Sequence, residues 1–115
     1  MSNTQAVSGI MKQVALAAVV DSKTLKAALY LASATTNGSN TAYTATGEVS
    51  GTNYSAGGVS VTNGNAAGLT STTAYWTPSA SITFTAVTLP TAFDAVMIYS
   101  TTDANRNLGV FTFGS

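Results

Sequence analysis

E-V-S-G-T-N-Y-S-A-G-G-V-S-V, residues Glu48 to Val61, is the stretch that decides the fold. Two turn signals, Ser50-Gly51 and Gly57-Gly58, lead into a short alternating run at Val59 and Val61. Glycine reaches backbone conformations closed to other residues, so Gly51, Gly57 and Gly58 are expected to serve backbone geometry. Tyr54 is expected to pack. Glu48 is one of only four acidic residues in the chain. Two roles are open to it. It is an exposed edge residue that blocks edge-to-edge pairing, or a polar anchor that bonds the backbone of the Ser50–Tyr54 turn or faces a neighbouring subunit. The stretch reads as the corner where looping chain enters a β-sandwich.

Working downstream, Thr62–Leu69 (T-N-G-N-A-A-G-L) is a second punctuated loop, a hairpin or a wide turn. It holds no phosphate-cradling pattern. Ala74-Tyr75-Trp76 carries the only tryptophan, which reads as a core or rim anchor or as a platform for a sugar. Ser79–Leu89 alternates well, with Ile82, Phe84 and Ala86 facing one way, and predicts the best strand of the chain, ended by Pro90. Ala95–Ser100 (A-V-M-I-Y-S) predicts a buried strand. Thr101–Asn107 predicts a polar turn. Leu108–Phe113 predicts a last strand, with Leu108 and Val110 on one face and Phe111 and Phe113 on the other.

Working upstream, Ser33–Thr46 is a polar loop with a turn at Asn37-Gly38 and Tyr43 as its anchor. Leu25–Ala32 alternates between Leu25, Ala27, Leu29 and Leu31 on one face and Lys26, Ala28, Tyr30 and Ala32 on the other, which predicts a half-buried strand. Asp21-Ser22-Lys23 is a turn. In residues 1–20, Val7, Ile10, Met11, Val14, Ala17 and Ala18 fall on one face of a helix, with Ser2, Asn3 or Ser8 as its cap. A buried strand over Val14–Val20 is the competing reading. That apolar run is far short of the roughly 20 residues that span a bilayer, and it makes a poor signal peptide. The expectation is a mainly β fold: an antiparallel β-sandwich or jelly roll of about six to eight short strands, with residues 1–20 as a helix or arm and 21–115 as the sandwich.

Composition bounds the chemistry. Histidine and cysteine are absent, and only 7% of the 115 residues are charged, against about 25% in ordinary soluble domains. Disulfides, thiolates, zinc fingers and histidine bases are excluded. Four basic residues (Lys12, Lys23, Lys26, Arg106) balance the four acidic ones (Asp21, Glu48, Asp94, Asp103). No basic patch exists for nucleic acid. The carboxylates are scattered, with no pair spaced for acid–base work, and no G-x-S-x-G elbow occurs. Asp103 with Asn105 is too sparse for calcium. Asn37-Gly38-Ser39 and Asn53-Tyr54-Ser55 match the glycosylation pattern and read as turn chemistry. No catalytic, cofactor or metal residue is expected. A net charge of zero favours association.

Three stretches together resemble a known group: Asp21-Ser22-Lys23-Thr24-Leu25-Lys26-Ala27-Ala28-Leu29-Tyr30; Thr41-Ala42-Tyr43-Thr44 running into Glu48–Gly58; and Trp76, then Ile82-Thr83-Phe84-Thr85-Ala86, Ala95-Val96-Met97-Ile98-Tyr99 and Val110–Gly114. This order resembles the small virion structural proteins of tailed bacteriophages, which include capsid decoration (cement) proteins and tail- or fibre-associated proteins, many of them jelly-roll-like. The resemblance implies a non-enzymatic protein on the capsid surface. It would be made in the host cytoplasm, bind the major capsid protein, stabilise the shell and form a homo-oligomer, with a trimer favoured. It implies no nucleic-acid or membrane partner. Val7, Ile10, Met11, Val14, Glu48 and Tyr54 are the candidate interface residues. The alternative within the resemblance is a tail or fibre module that binds host-surface glycans by stacking on Tyr43, Tyr75 and Trp76.

Overall fold

The computed structural model describes residues 7–35 and 39–113. The expected Asn37-Gly38 turn and the caps Ser2 and Asn3 lie outside them. Over the described residues the chain is mainly β, with one helix, a four-stranded antiparallel sheet and a two-stranded hairpin. The helix α1 spans Gly9–Val20. The strands are β1 (Leu25–Leu31), β2 (Val59–Val61), β3 (Gly68–Thr70), β4 (Thr73–Tyr75), β5 (Phe93–Ser100) and β6 (Arg106–Thr112).

Ser8 starts α1: its hydroxyl accepts from the Met11 amide at 3.1 Å, the N-cap bond that satisfies an orphan donor. The helix lies on the β3–β4 hairpin. Lys12 donates to the Thr72 carbonyl at 3.1 Å and Gln13 to the Ala67 carbonyl at 3.0 Å. At the other end Asn63 fastens the chain. Its amide nitrogen donates to the carbonyls of Val20 (2.6 Å) and Lys23 (2.8 Å), and its oxygen accepts from the Trp76 indole at 3.0 Å. One side chain thereby satisfies a helix-terminal carbonyl and orients the tryptophan.

The sheet runs β2-β1-β5-β6. β1 and β5 are central, and their residues are covered on both sides. Ala28, Tyr30, Ala95, Met97 and Tyr99 form the core of one face, with Tyr43 and Val110 packed on it. Leu25, Ala27 and Val61 form the other, under Trp76, Ile82 and Phe84. The half-buried reading of β1 is therefore corrected: Ala28 and Tyr30 have no solvent exposure, because the 43–57 loop lies over their face.

Two further expectations are overturned. Ser79–Leu89 forms no ladder; its one sheet-like contact is a bridge from Thr88 to Thr52. Ile82 and Phe84 still point into the core as their alternation required. A turn at Thr85-Ala86, with Ala86 at φ +53°, breaks the extended run, so burial was legible there and pairing was not. In β6, Leu108 and Val110 lie on opposite faces. Ile98 pairs with Gly109 and Tyr99 with Asn107, so Leu108 is the extra residue of a bulge, which resets the two-residue period. The β3–β4 hairpin, a two-residue turn at Ser71-Thr72 between very short strands, was not foreseen.

Candidate functional site

The Glu48–Val61 corner is built around a break in the sheet edge. β2 pairs with β1 only at Leu25–Ala27. Further along, Gly47–Val49 takes over the same edge: Leu31 donates to the Gly47 carbonyl at 2.9 Å and Val49 to the Leu29 carbonyl at 3.0 Å. Between the two pieces the Leu29 amide lacks a backbone partner. The Tyr54 hydroxyl fills the gap and accepts from it at 3.0 Å, as the near-obligatory pairing of backbone amides demands. Gly58 crosses so close that a Cβ there would run into the Ala27 carbonyl, and its φ is +82°. Gly51 serves a different need: a side chain there would meet the Thr88 carbonyl.

Glu48 bonds three donors within this corner. One carboxylate oxygen accepts from the Tyr43 hydroxyl at 2.6 Å. The other accepts from the Tyr54 hydroxyl at 2.7 Å and the Gly57 amide at 2.8 Å. The polar-anchor reading is close, but the backbone held is that of Gly57, not of Ser50–Tyr54. Two more tyrosines complete the group. Tyr99 donates to the Gly57 carbonyl at 2.6 Å and Tyr30 to the Thr44 carbonyl at 2.6 Å. The Tyr43 ring stacks on Tyr99 at a centroid distance of 4.8 Å, and Tyr54 stacks on Phe84 at 6.1 Å.

The electrostatics follow from burial. Desolvation raises all four phenols, because the phenolate is the charged form. Tyr30 is pushed up to about 12, by burial first and by the nearby Glu48 charge besides. Tyr43 and Tyr54 rise by burial and by donating to the Glu48 carboxylate. Neutral phenols are donors, not bases or nucleophiles. The arrangement clamps the loop to the sheet and offers no activated group.

A second feature is apolar. A groove of about 370 Å³ opens between α1, β4 and β6, lined by Leu16, Val19, Val20, Ala74, Tyr75, Trp76, Ile98, Leu108, Gly109 and Phe111. Phe111 in that lining is 58% exposed, and further along the chain Phe113 (63%) lies edge-on to Phe93. Ile10, Met11 and Val14 on α1, and Val7 just before its Ser8 cap, are between 54% and 61% exposed. The helix turns Gln13, Leu16 and Val20 inward instead, so it is apolar on both sides. Among the candidate interface residues, those four share an outer stripe, whereas Glu48 and Tyr54 are committed to internal bonds at the corner. Tyr75 and Trp76 meet at the groove, while Tyr43 lies across the sheet in the other core. The glycan-stacking residues thus do not share one face.

Sequence reading missed Tyr30 and Tyr99 as members of the clamp and Asn63 as a fastener. The clamp residues obey no period, so only a lone acidic residue lying between Tyr43 and Tyr54 hinted at it. The groove is assembled from three distant segments and left no local signal. Among the described residues no cluster of three or more His, Cys, Asp or Glu side chains could hold a metal, and no helix is long and apolar enough to cross a membrane. Comparison with protein-family models, characterised proteins and solved structures finds no match.

Proposed function

We propose that the chain is a non-enzymatic structural protein of a tailed-bacteriophage virion, a jelly-roll-like capsid decoration protein that binds the major capsid protein and stabilises the shell. The observation that carries this reading is the uncovered apolar stripe at the start of α1, with Val7 just before the helix and Ile10, Met11 and Val14 on it all more than half exposed, on a chain that is only 7% charged. Large exposed apolar patches mark interaction surfaces. A protein that works packed against neighbours in a lattice has no need of a charged coat. Many copies, each weakly held, bind tightly through avidity, and a trimer suits the threefold positions of a capsid lattice. The raised phenols and fully bonded Glu48 carboxylate support a scaffold role over catalysis. The test is mass spectrometry of virions purified from the phage that encodes the chain. Presence in many copies is expected; absence, or a few copies, rejects the role.

A tail or fibre module that binds glycans is the second reading. It is favoured by exposed Tyr75 beside Trp76 at the groove mouth, since aromatic rings stack on sugars. A glycan array that shows no binding rejects it.

A further inference from the structure

Asparagine followed by glycine is the sequence in which a side-chain amide is most easily lost. The backbone nitrogen of the glycine attacks the asparagine Cγ and closes a five-membered imide, and with no Cβ on the glycine nothing crowds that approach. The chain has two such pairs, Asn37-Gly38 and Asn63-Gly64. The second lies in a loop whose Gly64, Asn65 and Ala66 are exposed, yet its asparagine is the residue that fastens the end of α1.

Every group the reaction needs is engaged elsewhere in the fold. The leaving nitrogen, Asn63 Nδ2, donates to the Val20 and Lys23 carbonyls at 2.6 and 2.8 Å. Asn63 Oδ1 accepts from the Trp76 indole at 3.0 Å. The attacking nitrogen of Gly64 donates to the Ser79 hydroxyl at 2.8 Å, and that hydroxyl donates in turn to the Thr62 carbonyl at 3.1 Å. The carboxamide cannot swing toward Gly64 without letting go of α1.

We propose that Asn63 is a site of spontaneous deamidation which the fold holds shut, and that its reaction is a one-way release of the C-terminal end of α1. When that end opens, the Gly64 nitrogen loses its proton to hydroxide and bonds to Asn63 Cγ. The Cγ–Nδ2 bond breaks, and Nδ2 takes up a proton and leaves as ammonia. Water then opens the imide, at Cγ to give aspartate or at the backbone carbonyl of residue 63 to give isoaspartate. Water is the only co-reactant.

The product cannot refasten. A carboxylate has no hydrogen to donate, so the Val20 and Lys23 carbonyls lose their donor and face a negative charge. Val20 ends α1, where the helix dipole is itself negative, and no basic residue stands in the last turn. Asp21 lines the same small polar cleft as residue 63 and adds a second carboxylate there. Lys23 is already paired with Asp103 at 3.4 Å. The apolar groove loosens with the helix. Leu16, Val19 and Val20 line it from α1 and Trp76 from beyond β4, and Asn63 bonds to both Val20 and Trp76.

The experiment ages the full chain in mildly alkaline buffer, folded and in urea, and follows deamidation by peptide mass mapping, which separates residue 63 from residue 37, with enzymatic labelling of isoaspartate. Each of the three bonds to the carboxamide is worth about a fivefold factor, so residue 63 is expected to react about a hundredfold more slowly in the folded chain. Ser79→Ala frees the Gly64 amide and is expected to raise the folded rate several-fold while leaving the rate in urea unchanged. Folded chain that has reacted at residue 63 alone, separated by charge, is expected to exchange the amides of α1 about tenfold faster than unreacted chain, with β5 unchanged. Asn63→Asp is expected to do the same; should that variant not fold, the aged chain decides. Equal rates in buffer and urea overturn the protection, and no isoaspartate at residue 63 in urea overturns the chemistry. Reacted chain that keeps the α1 exchange of unreacted chain overturns the release.

Discussion

Replacing Glu48 by alanine tests the clamp at its centre. The carboxylate accepts from Tyr43, Tyr54 and the Gly57 amide. A net hydrogen bond to a charged group is worth about 1.5–3 kcal/mol. The three losses are unequal. Tyr43 is partly exposed and regains water, while Gly57 is buried and Tyr54 is held at the sheet edge by the Leu29 amide. Two stranded donors give a loss of roughly 3–5 kcal/mol, within the ~5–15 kcal/mol of a typical domain. Glu48→Ala should therefore fold but shift its urea midpoint down by about 2 M, for a slope near 2 kcal/mol/M. Glu48→Gln keeps one acceptor and should lose about half as much. Tyr43→Phe should lose about 1 kcal/mol. Equilibrium unfolding followed by the fluorescence of Trp76, the only tryptophan, reads all three. A Glu48→Ala loss under ~1 kcal/mol, or a Tyr43→Phe loss as large as that of Glu48→Ala, would refute the clamp.

Alkaline pH attacks the same site from the phenols. Tyr30 moves from 10.0 to about 12 on folding, so its neutral form is favoured in the folded chain. That stability is complete below the unfolded value and lost as pH rises through the folded one. The window is about pH 10–12 and the loss roughly 3 kcal/mol; phenolate absorbance titrating at the ordinary tyrosine value in the folded protein would contradict it. Gly57 and Gly58 both sit at positive φ; Gly58→Ala also meets the Ala27 carbonyl and should cost more than ~3 kcal/mol, whereas Gly57→Ala, which meets only the ends of Tyr99 and Lys26, should cost about 1–2; thermal melts give the order. Asn63→Ala removes both carbonyl bonds at the end of α1 and should speed amide exchange in the helix more than in β5; equal acceleration in both would show that α1 is not separately fastened.

The strands that the sequence made legible are those whose side chains alternate on a continuous ladder. β1, β5 and the Val59–Val61 edge fall where Leu25–Ala32, Ala95–Ser100 and the glycine pair placed them. Failure came where backbone pairing parts company with side-chain burial. Ile82 and Phe84 alternate into the core from a segment that pairs with nothing but Thr52, and one bulge at Leu108 turned the face of everything before it. For Glu48 the sequence left two readings open, an edge blocker and an anchor of the Ser50–Tyr54 turn; the carboxylate is bonded as an anchor, but to Gly57. Its donors were not legible, since Tyr43, Tyr54 and Gly57 are brought together by a corner, not a period. The same holds for the groove, to which α1, β4 and β6 each contribute a few side chains. On α1 the expected apolar stripe is present, but it faces outward: the helix is apolar on two sides, so its pattern could not say which side the hairpin takes.

A virion component held through exposed apolar surface has to be present in the particle in many copies. Quantitative mass spectrometry of purified particles, for wild type and for Met11→Asp, measures that most directly. A wild-type copy number on the scale of the major capsid protein, lost in the variant, is expected. A wild-type chain absent from particles, or present in only a few copies, would contradict it.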